Sequence, residues 1–376
     1  MPGFELIDHK EQKAVNQLFK EGGILFAHGF DNLRKKYHVR EFEKLNQKIF
    51  KSKYCLAVSS GTSAIKIALK ALGVKRGDHV ITQAFNFIAT VEAILDCGAI
   101  PIIVNVDKTL NMDVLELKKK ITKKTKVVIP VHMLGASANI KEISNICKKK
   151  KIKVLEDNCE AVGGKIKNQY LGTLTDVGVF SFDFGKLITT GEGGLLLTNN
   201  KKIFNFAKEY HDHGHENNPN FPRGRDTKSI YGFNYRMTEM QAVVGKEQLK
   251  KLNFILKKNY ERYKILEKIL KQNFELRSML KNSTPNYDTF IFFCPNKTKR
   301  EKIIEILKKN GLGTKNLPDA IEWHCTYFWE HALSKRECAY SKKTKEILSK
   351  AIAIPILVKK NTSIYKKISN KIISLK

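Results

Sequence analysis

Short apolar runs alternate with longer amphipathic segments between about residues 53 and 200. Seven of these runs are rich in β-branched residues and too short for helices, so they predict strands. They cover residues 55–60, 79–84, 100–106, 126–132, 153–158, 177–182 and 193–199. Between them lie helix-like segments, at residues 62–72, 88–97 and 140–151. This alternation predicts an α/β fold with a mainly parallel seven-stranded sheet covered by helices on both faces.

The pattern changes after residue 200. A helix is predicted at residues 201–210, a long loop at 211–232 and a long helix at 237–271. A strand, a helix and a strand, at residues 287–294, 299–310 and 351–358, predict a small α/β C-terminal domain. We expect three parts: a segment at residues 1–20 that packs on the small domain, a large domain at 21–250 and the small domain at 251–376.

Composition excludes several classes of protein. With 42% hydrophobic residues in 376, the chain can bury a core and is not disordered. It has no run of ~18 uncharged apolar residues and no signal-like start, so neither a membrane span nor secretion is expected. The seven cysteines form no CxxC pair, which argues against a zinc site or disulfide framework and favours a reducing cytoplasm.

The formal net charge of +31 raises the question of a nucleic-acid partner. Lysine outnumbers arginine 58 to 10, in short runs among Ile and Asn. Specific base readers rely on arginine, so solvated surface lysines are the favoured interpretation. No nucleic-acid partner is expected, although the positive field would attract small anionic substrates.

Two segments at predicted strand ends carry candidate chemistry. The sequence SSGTSA at residues 59–64 opens a helix, whose unpaired N–H groups suit a phosphate. The sequence LEDNCE at residues 155–160 ends an apolar strand, where Asp157 would face the ligand crevice and hold a pyridinium or another cation. Ordinary helix N-caps remain the alternative for both segments.

The third segment is the most informative. Residues 181–194, SFDFGKLITTGEGG, place a lone Lys186 in a turn rich in Gly and Thr. Partial burial would lower the pKa of this lysine and free its amine as a nucleophile for a Schiff base. A phosphate cup, an acid for a ring nitrogen and a lysine for an aldehyde, in this order, predict pyridoxal 5'-phosphate (PLP) as the cofactor.

The motif Ser-x4-Lys-x4-Gly-Glu-Gly-Gly makes this pattern specific. The sequence resembles the DegT/DnrJ/EryC1/StrS family of PLP-dependent sugar aminotransferases. The resemblance covers nearly the whole chain, through residues 59–64, 78–90, 130–135, 156–163, 181–194 and 232–249. It implies a fold type I, aspartate-aminotransferase-like enzyme with a small α/β C-terminal domain.

The resemblance also implies roles for individual residues. Lys186 would form the Schiff base with PLP and later move the substrate proton, and Asp157 would pair with the ring nitrogen. The other expected cofactor contacts are Ser60, Gly61, Thr62 and Ser181 at the phosphate and Phe87 on the ring face. Asn234 matches a residue that reaches the phosphate of the neighbouring subunit, which implies a homodimer with shared active sites.

One position departs from the family pattern. Glu160 stands where many members have Gln or His near the phenolic oxygen of the cofactor, so we expect this carboxyl to be protonated or hydrogen-bonded. Members that act as dehydratases replace the lysine by His. Because Lys186 is present, transamination is favoured over a PLP-dependent sugar dehydratase. A regulatory or DNA-binding protein on the same scaffold would lack these residues or carry an added module.

The substrate is predicted from further resemblance. Residues 1–6, 211–219, 222–226, 313–315 and 323–324 resemble a branch that aminates 8-oxo-3,8-dideoxy-manno-octulosonate with L-glutamate for lipopolysaccharide biosynthesis. Both substrates carry carboxylates, which basic side chains could bind. The candidate substrate residues are Arg223, Arg225, Lys315 and His324. A nucleotide-linked keto-sugar is the alternative acceptor.

Overall fold

The computed structural model describes residues 3–375. Residues 1 and 2, which belong to the predicted N-terminal segment and to the resemblance over residues 1–6, lie outside the described part, as does residue 376. Seven five-residue strands form the central sheet. They are β1 (Tyr54–Val58), β2 (His79–Gln83), β3 (Ile100–Val104), β4 (Thr125–Ile129), β5 (Lys153–Asp157), β8 (Val177–Ser181) and β9 (Gly194–Thr198).

The six other strands form two small sheets. One contains β6 (Lys165–Ile166), β7 (Gln169–Tyr170) and β11 (Ser283–Thr284). The second contains β10 (Glu275–Leu276), β12 (Thr289–Phe293) and β13 (Ala351–Pro355), in the order β10-β12-β13. The second sheet belongs to the C-terminal part of the chain, where the sequence predicted two of its strands.

The α-helices of the described residues surround these sheets. They are α1 (His9–Lys20), α2 (His38–Phe50), α3 (Gly61–Ala71), α4 (Ala89–Asp96), α5 (Val114–Lys120), α6 (Ile140–Lys149), α7 (Lys201–Tyr210), α8 (Glu239–Leu270), α9 (Lys297–Lys309), α10 (Ile321–His324), α11 (Lys335–Tyr340), α12 (Lys342–Lys350) and α13 (Thr362–Ile373). Short 3-10 helices cover Gly3–Leu6, Met133–Gly135, Arg223–Arg225 and Thr326–Phe328.

The order of the central sheet is β1-β9-β8-β5-β4-β2-β3. Its strands pair in parallel from β8 to β3, whereas β9 runs antiparallel to both β1 and β8. The prediction of an α/β fold with a mainly parallel seven-stranded sheet is therefore confirmed. Since β9 returns beside β8, the loop between them (residues 182–193) leaves and re-enters the sheet at the carboxyl edge of β8.

Apolar side chains from helices and strands bury both faces of this sheet. The C-terminal part has its own core, built from residues between 263 and 372. Helix α8 is continuous through the predicted domain boundary at residue 250, because its 32 residues include neither proline nor an internal break. The boundary itself stays a prediction.

The N-terminal segment is held by buried carboxylates. The side chain of Glu5 accepts hydrogen bonds from the N–H groups of Val358 (2.8 Å) and Lys359 (3.3 Å). Glu11, also buried, accepts from Lys251 (2.7 Å) and Gln248 (2.8 Å) on α8. The segment thus contacts both α8 and the chain that follows β13. Among residues 3–375, no helix combines the length and apolarity that a membrane crossing requires.

Candidate functional site

The carboxyl ends of three central strands bring the predicted site together. Strand β5 ends at Asp157, and its parallel neighbour β8 ends at Ser181. Strand β1 leads through Ser60 into α3, and it points the same way as β8 because β9 is antiparallel to both. The side chains that follow these strands therefore meet at one sheet edge, where α/β proteins bind ligands.

A cavity of about 570 Å³ lies at this edge. Its size is within the range of small-molecule and cofactor sites. Most residues predicted from the sequence line it: Ser60, Gly61, Thr62, Phe87, Asp157, Glu160, Ser181, Lys186, Lys315 and His324. The structure thus places these ten residues around one space, and their individual roles stay predictions.

The first turn of α3 forms the anion-binding end. Ser60 is its N-cap and accepts a hydrogen bond from the Ser63 N–H (3.1 Å), which leaves other first-turn N–H groups for a ligand. A Cβ on Gly61 would lie 2.8 Å from Cβ of Ser181, so only glycine fits between helix and strand. A Cβ on Gly194 would lie 2.1 Å from the Ser60 carbonyl oxygen, which explains the final glycine of the motif.

Asp157 lies in the floor of the cavity and is only 3% exposed. One carboxylate oxygen accepts a hydrogen bond from the Thr90 hydroxyl (3.0 Å), and the other accepts from the Cys159 N–H (3.1 Å). Each oxygen keeps a lone pair for a further donor. This is an arrangement that can hold a protonated ring nitrogen.

The loop after β8 presents Lys186. The Lys186 N–H donates to the Asp183 carbonyl oxygen (3.0 Å), and its Nζ lies 2.5 Å from Oε1 of Glu160. Burial alone would lower the pKa of Lys186, but the negative charge of Glu160 outweighs it and raises the pKa above its ordinary value. In this arrangement the amine holds its proton, contrary to the lowered pKa that the sequence predicts.

Glu160 is the anion of this pair. Burial would raise the pKa of its carboxyl, but the charges of Lys186 and Lys315 outweigh burial and lower the pKa to about 2. Its second oxygen, Oε2, is buried without a hydrogen-bond partner among residues 3–375. The carboxyl is therefore ionised and hydrogen-bonded to Lys186.

The C-terminal part supplies the other wall of the cavity. Lys315 Nζ lies 2.6 Å from Oδ2 of Asp288 and 3.8 Å from Oε2 of Glu160. The His324 ring, whose pKa is lowered mainly by burial, packs against Phe87 with ring centroids 5.3 Å apart. Nδ1 of His324 lies 2.7 Å from the Ala320 carbonyl oxygen, so Nδ1 carries the proton and Nε2 is an acceptor in the neutral ring.

The predicted residues Arg223, Arg225 and Asn234 lie outside this cavity. Both end nitrogens of Arg223 bind the buried carboxylate of Asp212 (2.6 and 2.7 Å), and Arg236 binds the same group (2.6 Å). Arg225 is exposed. The structure of a single chain therefore does not bring these arginines to the predicted substrate, because the charge of Arg223 is used to bury Asp212.

Asn234 is exposed, and its backbone pairs with that of Asp212. This exposed position is compatible with the predicted contact to a neighbouring subunit, which stays a prediction.

Four residues of the site were not found from the sequence. Thr90, Asp288 and Asn316 contact or line the cavity, and a Cβ on Gly3 would lie 2.2 Å from the Lys186 carbonyl oxygen. Thr90 falls within a segment that resembles the family, so that resemblance was an available signal. Gly3 falls within residues 1–6, which also carry a resemblance, whereas Asp288 and Asn316 had no such signal, because they reach the site only through contacts between distant parts of the chain.

Comparisons with known proteins agree with this geometry. The profile of the DegT/DnrJ/EryC1/StrS aminotransferase family matches residues 7–373. The chain belongs to this aminotransferase family. The residues that line the cavity fit PLP: the α3 N-terminus would hold its phosphate, Asp157 its ring nitrogen and Lys186 its aldehyde.

Particular relatives extend the comparison. The chain is 32% identical to GDP-perosamine synthase of Vibrio cholerae over 67% of this chain and 65% of that protein. It is 36% identical to GDP-perosamine synthase of Escherichia coli O157:H7 over 60% of each. The chain thus spans about 60–65% of these curated relatives. An aminotransferase from Psychrobacter cryohalolentis has the same fold, with a TM-score of 0.85 at 24% identity, covering 98% of this chain and 97% of that one.

Proposed function

We propose that this protein transfers an amino group from L-glutamate to a keto-sugar, giving 2-oxoglutarate and an amino-sugar. The observation that carries the proposal is the placement of Lys186, Asp157 and the N-terminus of α3 around one cavity. Bound PLP would supply an electron sink for the carbon that loses its proton. Glutamate as donor is supported by similarity to the Bacillus subtilis 3-oxo-glucose-6-phosphate:glutamate aminotransferase, 32% identical over 64% of this chain and 53% of that protein.

The residues of the chain divide the work of this reaction. The first turn of α3 and Ser181 bind phosphate, and Asp157 stabilises a protonated ring nitrogen. Lys186 would hold the cofactor, and its amine Nζ would take the proton that the donor carbon loses. The same amine returns a proton when the acceptor is aminated. Glutamate and keto-sugar therefore use one site in turn, which predicts ping-pong kinetics.

The proposed acceptor is 8-oxo-3,8-dideoxy-manno-octulosonate, in lipopolysaccharide biosynthesis. The wall formed by residues 312–324 supports a polar sugar, because Nδ2 of Asn316 is buried without an acceptor among residues 3–375. Unpaired buried donors favour a ligand that supplies acceptor oxygens. A neutral His324 would accept a hydrogen bond from a sugar hydroxyl.

A nucleotide-linked keto-sugar is the second candidate acceptor. It is favoured by the similarity to the two GDP-perosamine synthases. A homodimer is part of either proposal, with Asn234 of each chain facing the phosphate site of the other. The exposure of Asn234 supports this arrangement.

The test has two stages. Protein loaded with PLP is mixed with L-glutamate in the absence of a sugar, and 2-oxoglutarate is measured against enzyme concentration. One equivalent per active site is expected, with none from the Lys186→Ala variant. After removal of glutamate, the 8-oxo sugar acid and GDP-linked 4-keto-6-deoxymannose are added separately, and amino-sugar is identified by mass spectrometry. Product from neither acceptor would overturn both substrate proposals, and absence of 2-oxoglutarate would overturn glutamate as donor.

A further inference from the structure

Four charged side chains form a row that crosses the cavity wall, three of them buried and the fourth, Lys186, partly buried. Asp288 precedes β12 and Lys315 follows α9, whereas Glu160 and Lys186 follow β5 and β8. The distances along the row are 2.6 Å from Asp288 to Lys315, 3.8 Å from Lys315 to Glu160 and 2.5 Å from Glu160 to Lys186. Negative and positive charges alternate, so each neighbour stabilises the next.

The position of Lys315 in this row is fixed. Its N–H donates to the Ala353 carbonyl oxygen on β13 (2.9 Å), and its side chain is only 8% exposed. Asp288 is held in turn by the Thr289 hydroxyl (2.8 Å) and by its own carbonyl oxygen, which accepts from the Ile356 N–H (2.8 Å). The ammonium group thus has a fixed anchor in Asp288 and faces the unpartnered Oε2 of Glu160.

This arrangement bears on a chemical requirement. A lysine acts as nucleophile or base only in its neutral form, yet Glu160 at 2.5 Å favours the protonated form of Lys186. A second cation beside Glu160 competes for the same negative charge. Removing that cation would leave Glu160 to hold the Lys186 proton alone.

We propose that Lys315, anchored by Asp288, is a positioning residue that weakens the hold of Glu160 on the Lys186 proton and so raises the fraction of Lys186 that is present as the neutral, reactive amine. The proposal rests on the proposed function, in which Lys186 binds the cofactor and moves the proton. It gives Lys315 a role different from the carboxylate binding predicted from the sequence. The two roles separate experimentally, because one acts on Lys186 without any sugar present.

Other groups that face Lys186 do not replace this effect. Asp183, in the same loop, raises the pKa of Lys186 as Glu160 does. Burial raises the pKa of the Cys159 thiol well above its usual range, so it is neutral, and burial lowers that of His324. Asp157 lies in the same cavity and contributes negative charge. Within the described residues lining this cavity, Lys315 is the cation that opposes these acids.

The experiment measures Lys186 in the cofactor-free protein. Trinitrobenzenesulfonate labels neutral amines, so its rate of reaction with Lys186 at pH 8, followed by peptide mass spectrometry, reports the neutral fraction. The Lys315→Met variant should label about tenfold more slowly, equivalent to a shift of about one pH unit. Lys315→Arg should label at nearly the wild-type rate. Lys302→Met, an exposed lysine on α9, is the matched control and should not differ.

Two further variants distinguish a specific effect on Lys186 from a general loss of structure. Asp288→Asn removes a negative charge and should label faster than wild type, the opposite of Lys315→Met. In a Glu160→Gln background, Lys315→Met should have much less effect, since the group that it acts through is gone. Circular dichroism checks that each variant is folded.

The outcomes are distinct. Unchanged labelling in Lys315→Met, or an equal loss in the Glu160→Gln background, would overturn the positioning role. A raised KM for the keto-sugar together with unchanged labelling would show that Lys315 binds substrate instead. If wild-type protein takes up no PLP and releases no 2-oxoglutarate from glutamate, the proposed function fails, whatever the labelling rates show.

Discussion

Two buried charge clusters in this protein are built from different cations. At the cavity, the carboxylate of Glu160 lies between the ammonium groups of Lys186 and Lys315, and one of its oxygens has no hydrogen-bond partner among the described residues. Within the loop at residues 211–236, Asp212 is bound by the guanidinium groups of Arg223 and Arg236. The first cluster is incompletely paired, and the second is fully paired.

The difference follows from the chemistry of the two cations. A guanidinium stays charged at all accessible pH values and binds a carboxylate through a rigid pair of donors, so it suits a permanent fold contact. An amine can lose its proton and act as a base when its surroundings allow. Lysine therefore suits the proton transfer proposed at the cavity, and arginine suits the permanent contact that holds the loop.

The largest expected effect is at the lysine itself. Lys186→Ala removes the only amine in the proposed role, so turnover should fall by about four orders of magnitude or more. The absorbance band of lysine-bound cofactor should disappear as well. Steady-state assays and absorbance spectra of the loaded protein measure both. Activity within tenfold of wild type would show that the cavity cluster is structural, like the one around Asp212.

The next effect is on stability. Asp212→Asn leaves two guanidinium groups near an uncharged amide in a buried site, and it should lower the free energy of unfolding by about 3 kcal/mol. Chemical denaturation measures the change. The matched control is Glu275→Gln, which breaks an exposed ion pair with Lys108 and should cost less than about 1 kcal/mol. Equal losses in the two variants would contradict the difference between buried and exposed pairs.

A smaller effect on activity is expected at Thr90, which contacts Asp157, the residue proposed to hold the ring nitrogen of the cofactor. Thr90→Val removes the hydroxyl that donates to Asp157. A hydrogen bond to a charged group contributes about 1.5 kcal/mol or more, so kcat/KM should fall about tenfold. Thr198→Val is the control, at the end of β9 farther from the cavity. It removes a hydroxyl that donates to the Asp176 carbonyl oxygen and should leave kcat/KM unchanged. Similar losses in both would point to a general loss of structure.

The smallest effect is a pH dependence of the free energy of unfolding, caused by His211 in the loop at residues 211–236. Burial lowers the pKa of His211 to about 4, below the ordinary value of 6.5. Between these values the unfolded chain binds the proton and the folded chain does not, so stability falls as pH drops from about 6.5 towards 4. His211→Gln removes this term and should reduce the loss of stability between pH 6.5 and 5 by about 1 kcal/mol. Urea unfolding at both pH values tests it, and an unchanged loss would contradict the assignment.

The sequence predicted most of the central architecture. All seven central strands lie within three residues of their predicted bounds, because each is a short and mostly buried apolar run. It did not predict α1, α2, α5 and α10 to α13, of which α5, α10 and α11 have seven residues or fewer. It also predicted a lowered pKa for Lys186, which was wrong because Glu160 outweighs burial.

What the sequence determined by itself are features that neighbouring residues specify: the strands, the helix start at Gly61, the acid at a strand end and the lysine in its glycine-rich turn. What only the tertiary structure decided are contacts between distant segments. Lys315 and Asp288 reach Glu160 from the C-terminal part, and Gly3 lies against the carbonyl of Lys186. Local sequence patterns cannot predict such contacts, because these residues become neighbours only when the sheet and the C-terminal core pack together.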